Sequence, residues 1–353
     1  MNTIQRLQEK LPENIDCLLV TCEAHQRYLT GFPFTDGYVV VGREHAWLLT
    51  DFRYIEAAKK YESDSLTVLM FENRGELTEK LFKDNGFTRI GYEEDTLLCS
   101  DFDALTRRYP DLTFVRAGGI LALIRRVKTQ DEVDKIVKAQ RIAEKALDRV
   151  LSLMTPNMTE REVAIELDFG MRKLGAEGSA FETIAVSGSA SSMPHGVPRD
   201  VKLERGFLTM DFGAIYDGYL SDMTRTVVIG KADDEMKKLY NTVLSAQLAA
   251  IDYVKAGALG SDCDKVARDI IYGNGYEGCF GHSLGHGVGI YIHEEPRLSM
   301  KWDSPLEVGA IVTVEPGIYI PGKYGCRIED MVYLKDGETV DLTNAPKEMI
   351  ELF

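Results

Sequence analysis

Two neighbouring stretches of the chain, Phe207-Leu-Thr-Met-Asp-Phe-Gly213 and Asp222-Met-Thr-Arg-Thr-Val-Val-Ile229, carry the pattern that decides its fold. Both are rich in β-forming residues, and the turn signal Asp217-Gly218 between them predicts a β-hairpin. A four-residue loop at 215–218 would set Asp211 directly opposite Asp222. The hairpin is therefore expected to bring two acidic side chains face to face.

A second hairpin repeats this arrangement further along the chain. The strand Ile311-Val-Thr-Val-Glu-Pro316 carries Glu315, and the strand Arg327-Ile-Glu-Asp-Met-Val332 carries Glu329. A three-residue loop at Pro321-Gly-Lys323 would pair the two glutamates. The sequence thus predicts two facing pairs of acids, one in each hairpin.

Facing acids need a positive partner. Like charges directly opposite each other destabilise a sheet, and buried unpaired carboxylates are costlier still. Four carboxylates carry a formal charge of about −4, which two divalent cations would neutralise, and metal pairs of this kind recur in aminopeptidases and other hydrolases. Any one of these acids could instead be a solvated turn residue, but that alternative explains the whole set poorly.

Four of the six histidines strengthen the metal hypothesis. His282, His286 and His293 lie in Gly281-His-Ser-Leu-Gly-His-Gly-Val-Gly-Ile-Tyr-Ile-His-Glu-Glu-Pro-Arg297, and His195 lies in Ser192-Met-Pro-His-Gly-Val-Pro198. A glycine-rich histidine run is a poor helix and an awkward strand, so packing alone explains it badly. We expect His286 to join the four acids in a binuclear metal site.

On these residues the chain resembles the pita-bread metallopeptidases, the family that includes methionine aminopeptidase, prolidase and aminopeptidase P. The resemblance covers residues 128–353, and every ligand position is occupied in the family's order. It implies a C-terminal α+β domain with a curved antiparallel sheet. For the metal ligands it implies Asp211 and Asp222 on one ion, His286 and Glu315 on the other, and Asp222 and Glu329 as bridges.

Two further features resemble the proline-specific branch of that family. One is Arg327 beside the strand Val314-Glu-Pro-Gly-Ile-Tyr-Ile320, and the other is a separate N-terminal domain of the creatinase and prolidase type. The resemblance implies hydrolysis of Xaa-Pro bonds in small peptides with proline after the scissile bond. A dipeptidase (prolidase) is the first expectation, and an aminopeptidase P that acts on longer peptides is the alternative. A catalytically silent peptide-binding scaffold is a more remote alternative.

The expected chemistry needs no serine or cysteine nucleophile. Water shared by two divalent ions ionises near neutral pH and supplies hydroxide. Glu315 is the candidate proton acceptor, while His195 and His293 could donate hydrogen bonds to the oxyanion or a proton to the departing nitrogen. His282 is expected either to orient His286 and line the pocket or to be structural.

Two arginines and the metal identity complete the predicted site. Arg327 is expected to steer a ligand carboxylate. Arg297 is a candidate anchor for the dipeptide's carboxylate, although it could instead pair with Glu294 or Glu295. Four hard oxygens and one imidazole favour Mn²⁺, while Co²⁺ and Zn²⁺ also tolerate this donor set.

The length of 353 residues favours two domains. We predict an α/β domain at 1–120 and the catalytic domain at 128–353. In the first, strands at 15–20, 37–42, 46–50, 66–70 and 89–92 alternate with helices at 53–61, 77–84 and 102–108. No phosphate-binding loop or cluster of catalytic residues is evident there, so a structural or dimer-forming role is expected. The resemblance adds a homodimer in which such a domain reaches over the neighbouring active site.

The second domain is expected to alternate helix pairs with the acidic hairpins. Capping boxes at Thr129 and Thr159 begin helices that extend to 154 and 175, and further helices are expected at 234–254 and from 261. Strands are expected at 183–186, 208–213, 220–229, 311–315 and 326–334. One helix pair and one hairpin in each half suggest an internal pseudo-repeat.

Composition excludes some partners. A net charge of −15 argues against nucleic acid and anionic membranes, because both require a basic face. The N-terminal segment has no apolar signal core, and no run of 18 apolar residues exists, so a cytoplasmic location is expected. The six cysteines show no Cys-x-x-Cys spacing and are expected to be reduced core thiols.

Overall fold

The computed structural model describes residues 2–353, and the chain forms two compact units, Met1–Arg125 and Arg126–Phe353. Among the described residues, no helix is both long and apolar enough to span a bilayer. All six cysteines are free thiols. Cys17, Cys263 and Cys326 are buried, as expected for core thiols, but Cys99 is exposed, so the expectation was wrong for Cys99.

The N-terminal unit is an α/β layer built on one six-stranded sheet. The strands are β1 (Cys17–Val20), β2 (Gly37–Gly42), β3 (Ala46–Thr50), β4 (Leu66–Met70), β5 (Arg89–Tyr92) and β6 (Thr113–Arg116), in the order β4-β3-β2-β1-β5-β6. The helices are α1 (Thr3–Lys10), α2 (Glu23–Thr30), α3 (Ile55–Ala58), α4 (Arg74–Asp84), α5 (Cys99–Arg108) and α6 (Gly119–Arg126). Only β2 runs antiparallel to its neighbours, so the other strands end at one common edge.

The sequence pattern missed three elements of this unit and lengthened one. Helix α2 has no regular apolar stripe, because its buried face includes His25 and Gln26. Neither β6 nor α6 was expected. The helix expected at 53–61 is only one α-turn, α3, followed by the 3₁₀ turn Lys59–Tyr61.

The C-terminal unit contains two helix pairs, each followed by strands. The first half contains α7 (Gln130–Leu153), α8 (Glu160–Lys173), β7 (Gly178–Ser179), β8 (Ile184–Ser187), β9 (Gly206–Phe212), β10 (Ala214–Tyr216), β11 (Tyr219–Leu220) and β12 (Met223–Ile229). The second contains α9 (Asp234–Tyr253), α10 (Gly260–Gly273), β13 (Gly285–Gly287), β14 (Glu294–Leu298), β15 (Ile311–Val314), β16 (Gly317–Ile320), β17 (Tyr324–Arg327), β18 (Asp330–Lys335), β19 (Glu338–Asp341) and β20 (Glu351–Leu352). The capping boxes at Thr129 and Thr159 are both formed.

Each helix pair covers its own sheet, and a separate hydrophobic core lies beneath each pair. Helices α7 and α8 pack on the sheet β20-β12-β9-β8, and α9 and α10 pack on the sheet β14-β13-β15-β18-β19. These sheets are antiparallel except for the pair β12 and β20. The expected α+β architecture is confirmed, and the helices leave the opposite sheet faces available for a site.

Hydrogen bonds between strand residues join the two halves of the C-terminal unit. Thr224 and Glu329 form a β-bridge. The buried guanidinium group of Arg225 donates from Nη1 to the carbonyl oxygens of both residues, at 2.9 and 2.8 Å, and from Nη2 to Asp330 Oδ1 at 2.7 Å. This contact fixes one hairpin against the other, because a buried guanidinium with several acceptors tolerates little displacement.

Candidate metal centre

One cavity of about 360 Å³ in the C-terminal unit contains the side chains singled out from the sequence. Its walls include Asp211, Asp222, His286, Glu315, Glu329, His195, His282, His293, Arg297 and Arg327. The same cavity is lined by the apolar residues Phe181, Ile184 and Ile292. Residues from both halves of the unit therefore converge on one small volume.

The register of the first hairpin differs from the expectation. Asp217 and Gly218 both adopt left-handed backbone angles, with φ of 48° and 78°, and form a two-residue turn between Tyr216 and Tyr219. The expected four-residue loop was therefore wrong, and Asp211 pairs with Thr224 rather than with Asp222. The shift is two residues, so both acids still point to the same face of the sheet.

The second hairpin has the expected register. Val314 pairs with Asp330 on one side, and Gly317 pairs with Arg327 on the other. Between these pairs the chain leaves the regular ladder, and the two flanking registers set Glu315 opposite Glu329. The turn at 321–323 has the predicted three residues.

Three of the acids lie in gaps between strands. Asp222 lies between β11 and β12, Glu315 between β15 and β16, and Glu329 between β17 and β18. Each was expected inside or at the end of a continuous strand. Such interruptions re-aim side chains locally, and all three carboxylates line the cavity.

His286 lies close to two of the acids in the cavity. Its Nε2 lies 3.2 Å from Glu315 Oε1 and 3.6 Å from Asp222 Oδ2. Its Nδ1 lies 3.1 Å from the Gly287 carbonyl oxygen, which can only accept a hydrogen bond. Nδ1 therefore carries a proton, and Nε2 faces two carboxylates: with a proton it donates to Glu315, and without one its lone pair is directed at the same space.

Asp222, His286 and Glu329 form a compact set of buried donors. One ligand atom from each lies within 4.8 Å of the others. Burial, followed by the charges of Glu329, Asp211 and Glu315, raises the pKa of Asp222 well above its usual range. Burial and then Glu315 raise the pKa of Glu329 in the same way. Without a cation, the cavity strongly opposes ionisation of these acids.

Asp211 and Glu315 differ in their nearest partners. Burial raises the pKa of Asp211 even though Arg327 Nη2 donates to its Oδ2 at 2.6 Å. Burial also opposes ionisation of Glu315, but the hydrogen bond and charge of His286 outweigh it and lower the pKa of Glu315 to about 2. Glu315 is therefore the acid most readily ionised in this cavity.

The residues fit divalent metal ions. Asp211 Oδ1 is buried with no hydrogen-bond donor, although a buried carboxylate oxygen normally has one. His286 Nε2 faces further oxygens in the same cavity. Hard carboxylate oxygens with one imidazole suit divalent first-row ions. A cation would satisfy the unpaired oxygen and remove the repulsion among these groups.

Sequence reasoning missed three residues that hold the ligands. Thr224 Oγ1 donates to Glu329 Oε2 at 2.6 Å, and Thr313 Oγ1 accepts from the His286 backbone N–H at 3.0 Å. Tyr319 accepts from Arg327 Nη1 at 2.7 Å. The threonines lie two residues from a ligand acid on the same chain, and this spacing could have indicated a shared face.

Arg327 connects the two hairpins. Its Nη2 donates to Asp211, its Nη1 to Tyr319, and its Nε to Thr224 Oγ1 at 3.0 Å. The side chain is almost completely buried. Arg327 therefore holds Asp211 directly and Glu329 through Thr224.

We expect Arg327→Lys to lower kcat/KM by about 10- to 100-fold, the usual effect of removing an outer partner of a metal ligand. Lysine keeps the charge, but its compact ammonium group cannot reach Asp211, Tyr319 and Thr224 at once as the guanidinium group does. Steady-state kinetics at saturating Mn²⁺, together with the metal content of the purified protein, measures the effect. The matched variant Tyr319→Phe removes one acceptor only and should lose less; equal losses in both would contradict this role.

The other predicted side chains lie around this core. His282 does not orient His286, because its Nδ1 lies 2.9 Å from the Ser283 carbonyl oxygen and its Nε2 lies 2.9 Å from the Tyr319 hydroxyl. The His293 ring packs edge-on against His286, with centroids 4.4 Å apart. Desolvation, then His286 and Arg297, lower the pKa of His293 to about 4, so this imidazole is neutral near pH 7.

Arg297 faces the cavity rather than a surface acid. Glu294 binds Lys128 Nζ at 2.6 Å, and Glu295 binds Arg126. The alternative in which Arg297 pairs with Glu294 or Glu295 is therefore wrong. The guanidinium group lines the cavity with the metal-ligand candidates, where it can meet an anionic group of a substrate.

His195 is exposed on a loop that an ion pair between buried Glu160 and partly exposed Arg199 holds in place. Glu160, the first residue of α8, accepts from Arg199 Nε at 2.8 Å and from the Arg199 backbone N–H at 2.9 Å. It also accepts from the backbone N–H of Ser187 at 2.7 Å. These contacts fix both ends of the segment that carries His195.

We expect Glu160→Gln to lower the free energy of unfolding by about 2 kcal/mol at pH 7, the scale for a charged hydrogen-bond partner with one exposed side. Burial opposes ionisation, but the hydrogen bonds from Arg199 and Ser187 lower the pKa of Glu160 below its unfolded value. The difference in free energy of unfolding between wild type and variant is therefore present above about pH 4.5. It is lost as the pH falls through the pKa of Glu160 in the folded protein. Urea unfolding at several pH values measures it; a constant difference down to pH 3 would refute the assignment.

Comparison with known proteins agrees with this site and fold. Residues 134–336 match metallopeptidase family M24, and residues 3–127 match the creatinase/prolidase N-terminal domain. The chain belongs to metallopeptidase family M24. Within that family it is one of the two-domain members related to prolidases, so the resemblance read from the sequence is confirmed.

Relatives of the whole chain include proteins of two activities. The chain is 36% identical to the Xaa-Pro dipeptidase of Pyrococcus furiosus, over 98% of this chain and 99% of that protein. It shares 41% identity and a TM-score of 0.95 with the Xaa-Pro dipeptidase structure from Bacillus anthracis, covering 99% of each chain. It shares 37% identity and a TM-score of 0.93 with the X-Pro aminopeptidase structure from Thermotoga maritima, covering 98% of this chain and 99% of that one.

Proposed function

We propose that this protein is a metal-dependent Xaa-Pro dipeptidase. The observation that carries the proposal is the convergence of four carboxylates and His286 on one cavity that also contains the guanidinium group of Arg297. Whole-length similarity to Xaa-Pro dipeptidases from two organisms supports the substrate class.

The ligand assignment is part of this proposal. Asp211, Asp222, His286, Glu315 and Glu329 would hold two divalent ions, with Mn²⁺ the expected metal because most of the donors are hard oxygens. When bound, the ions would polarise the scissile carbonyl and activate a water molecule for attack. Co²⁺ and Zn²⁺ also suit this donor set.

The protein's own groups would position the peptide and move its protons. Glu315 would accept the proton of the attacking water. His293, neutral at that pH, donates an N–H hydrogen bond to the oxygen on which negative charge develops. His195, exposed on its loop, would protonate the proline nitrogen as the bond breaks.

Substrate length follows from Arg297. A dipeptide has its carboxylate one residue beyond the scissile bond, within the same cavity, and a guanidinium group binds a carboxylate through two parallel hydrogen bonds. A longer peptide has an uncharged amide at that point. Because Arg297 has no acidic partner in the part of the chain that the structure describes, it favours the dipeptide.

Comparison of a Xaa-Pro dipeptide with the matching Xaa-Pro-Xaa tripeptide tests the proposal. We expect a higher kcat/KM for the dipeptide. Turnover of the tripeptide alone would favour an Xaa-Pro aminopeptidase, the second candidate, which the similarity to the Thermotoga maritima structure supports. No metal uptake and no chelator-sensitive activity on either peptide would favour a silent scaffold.

We expect Arg297→Gln to raise KM for the dipeptide by about 10- to 100-fold with little change in kcat, since a hydrogen bond to a charged group contributes about 1.5–3 kcal/mol. KM for a Xaa-Pro amide, which lacks the carboxylate, should barely change in the same variant. Arg297→Lys is the matched control, because it keeps the charge and should recover part of the loss. An equal rise in KM for acid and amide would exclude the anchor role.

We further propose a cytoplasmic homodimer that includes the unit Met1–Arg125 in its interface. The acidic composition and the resemblance to two-domain prolidases support this proposal. Analytical ultracentrifugation of the full chain tests the assembly, and a monomer at micromolar concentration would contradict it.

A further inference from the structure

Glu182 is an acid on the wall of the cavity that contains the metal-ligand candidates, and neither the metal site nor Arg297 accounts for it. Its side chain is exposed. Within the described residues 2–353, no cation pairs with the Glu182 carboxylate and no group donates a hydrogen bond to it. The carboxylate is therefore available to a positively charged group that enters the cavity.

The strand that follows Glu182 determines the direction of its side chain. Ile184, the first residue of β8, pairs with Asp211 on β9, and both residues line the cavity. Thr183 points the other way, because its Oγ1 donates to Asp168 of α8 at 2.6 Å. Side chains of an extended chain alternate between two faces. Glu182 therefore lies on the cavity face, two residues before Ile184.

This spacing sets how far Glu182 lies from the metal-ligand candidates. Two residues of extended chain span about 6.6 Å, so Glu182 lies one such step along the chain from the residue that pairs with Asp211. The α-ammonium group of a bound peptide adjoins the scissile bond. The charged end of a lysine or arginine side chain lies beyond a stem of three or four methylene groups, which spans a similar distance. Glu182 is therefore better placed for the side chain before proline than for the α-ammonium group.

The apolar part of the cavity wall suits the stem of such a side chain. Phe181, Ile184 and Ile292 line the same cavity as Glu182. Lysine and arginine bury their methylene stems against apolar surface and keep the charged end near water. An apolar side chain would use the same surface but would leave the Glu182 carboxylate without a partner.

The charges around the site permit a cation near Glu182. The four ligand carboxylates carry a formal charge of about −4, which balances two divalent ions. Arg327 binds Asp211, and Arg297 would bind the carboxylate of the substrate. The whole chain carries a net charge of −15, which attracts cationic peptides at low ionic strength. A cationic side chain therefore meets little net repulsion in the cavity.

We propose that Glu182 gives the site a preference for arginine or lysine immediately before proline. The inference rests on the proposed function, because it assigns the side-chain subsite of the same cavity. The substrate carboxylate binds Arg297, the scissile bond lies at the metal centre, and the cationic end of the preceding side chain pairs with Glu182. Glu182 selects the substrate and takes no part in the proton transfers.

Comparison of Arg-Pro with citrulline-Pro tests this preference, since citrulline has nearly the shape of arginine but no charge. For the full-length, metal-loaded protein we expect kcat/KM to be about fivefold higher for Arg-Pro, the upper end of the usual range for an exposed ion pair. Most of the difference should lie in KM. The ratio should fall as salt is added, because solvent reaches the carboxylate. Equal kcat/KM for the two dipeptides would overturn the inference.

Two substitutions at Glu182 identify the group responsible. Glu182→Gln should bring the ratio of Arg-Pro to citrulline-Pro to about one, through a higher KM for Arg-Pro. Glu182→Lys should reverse the charge preference, so that Glu-Pro becomes a better substrate than Gln-Pro. Glu307→Gln removes the same charge from an exposed position outside the cavity and should keep the wild-type ratio. An equal loss on Arg-Pro and citrulline-Pro in Glu182→Gln would overturn the side-chain role.

The same measurements separate this inference from the proposed function. If neither dipeptide is hydrolysed, Arg-Pro-Ala and citrulline-Pro-Ala provide the comparison, since the residue before proline is the same in the longer peptides. No turnover of any of the four peptides would refute the peptidase function and the inference together. Equal turnover within a pair would refute the inference alone.

Discussion

Replacing Asp222 with asparagine is expected to lower kcat/KM for a Xaa-Pro dipeptide by about 1,000-fold or more, while the chain remains folded. The loss follows from the ligand cluster, because Asp222, His286 and Glu329 bring donor atoms within 4.8 Å and only a charged oxygen can neutralise the ion there. A metal contributes several kcal/mol to stabilising the transition state, and about 4 kcal/mol corresponds to this factor.

The folded state should tolerate this change, since the amide is nearly isosteric and removes a charge that the buried site opposes. Kinetics, metal content and circular dichroism of the purified variant measure the three consequences. Glu329→Gln should behave in the same way. Glu307→Gln, an exposed acid outside the cavity, is the control and should keep normal rates. Normal turnover by Asp222→Asn or Glu329→Gln would refute the ligand assignment.

Removal of metal is expected to abolish peptidase activity and to lower the melting temperature. At a free Mn²⁺ concentration about 100 times Kd, binding at one site adds about 2.7 kcal/mol to the free energy of unfolding. For a unit the size of Arg126–Phe353, this corresponds to a rise of about 5–11 °C. Calorimetry before and after dialysis against a chelator measures the change in melting temperature. Addition of Mn²⁺ should raise the melting temperature of Asp222→Asn much less than that of the wild type.

The metal-induced gain in stability should grow as pH rises from about 5 to about 8. In the metal-free protein, burial raises the pKa of Asp211, Asp222 and Glu329, so the folded chain holds protons that the unfolded chain releases. Its stability therefore falls with rising pH in this range. Glu315, with a pKa of about 2, is ionised in both states there and adds no slope. A gain that shrinks with pH would contradict this account.

Much of the fold was predictable because local patterns determine it. The capping boxes at Thr129 and Thr159 begin helices where expected, and the alternation of apolar residues marks most strands of both units. Helix α2 was not predictable in this way, because its buried face carries polar residues that are satisfied only by distant partners. The sequence contains no local signal for such partners.

The candidate site was predictable in its residues but not in its register. The side-chain period of two preserved the shared face of Asp211 and Asp222 even though the turn is two residues shorter than expected. Tyr319 was missed because its partners, His282 and Arg327, come from different strands and loops. The proximity of Cys22, His25 and Glu93 was missed for the same reason, since Glu93 joins the other two only through the parallel pairing of β1 and β5.

Asp211 Oδ1, which is buried without a hydrogen-bond donor, has a consequence for the lifetime of the protein in a cell. A molecule that has not yet acquired its ions retains an unsatisfied oxygen and crowded acids in the middle of the unit. It opens more often than a loaded molecule, and proteases act on open molecules. A shortage of divalent metal ions would therefore shorten the half-life of the enzyme, so that the amount of protein follows the supply of metal.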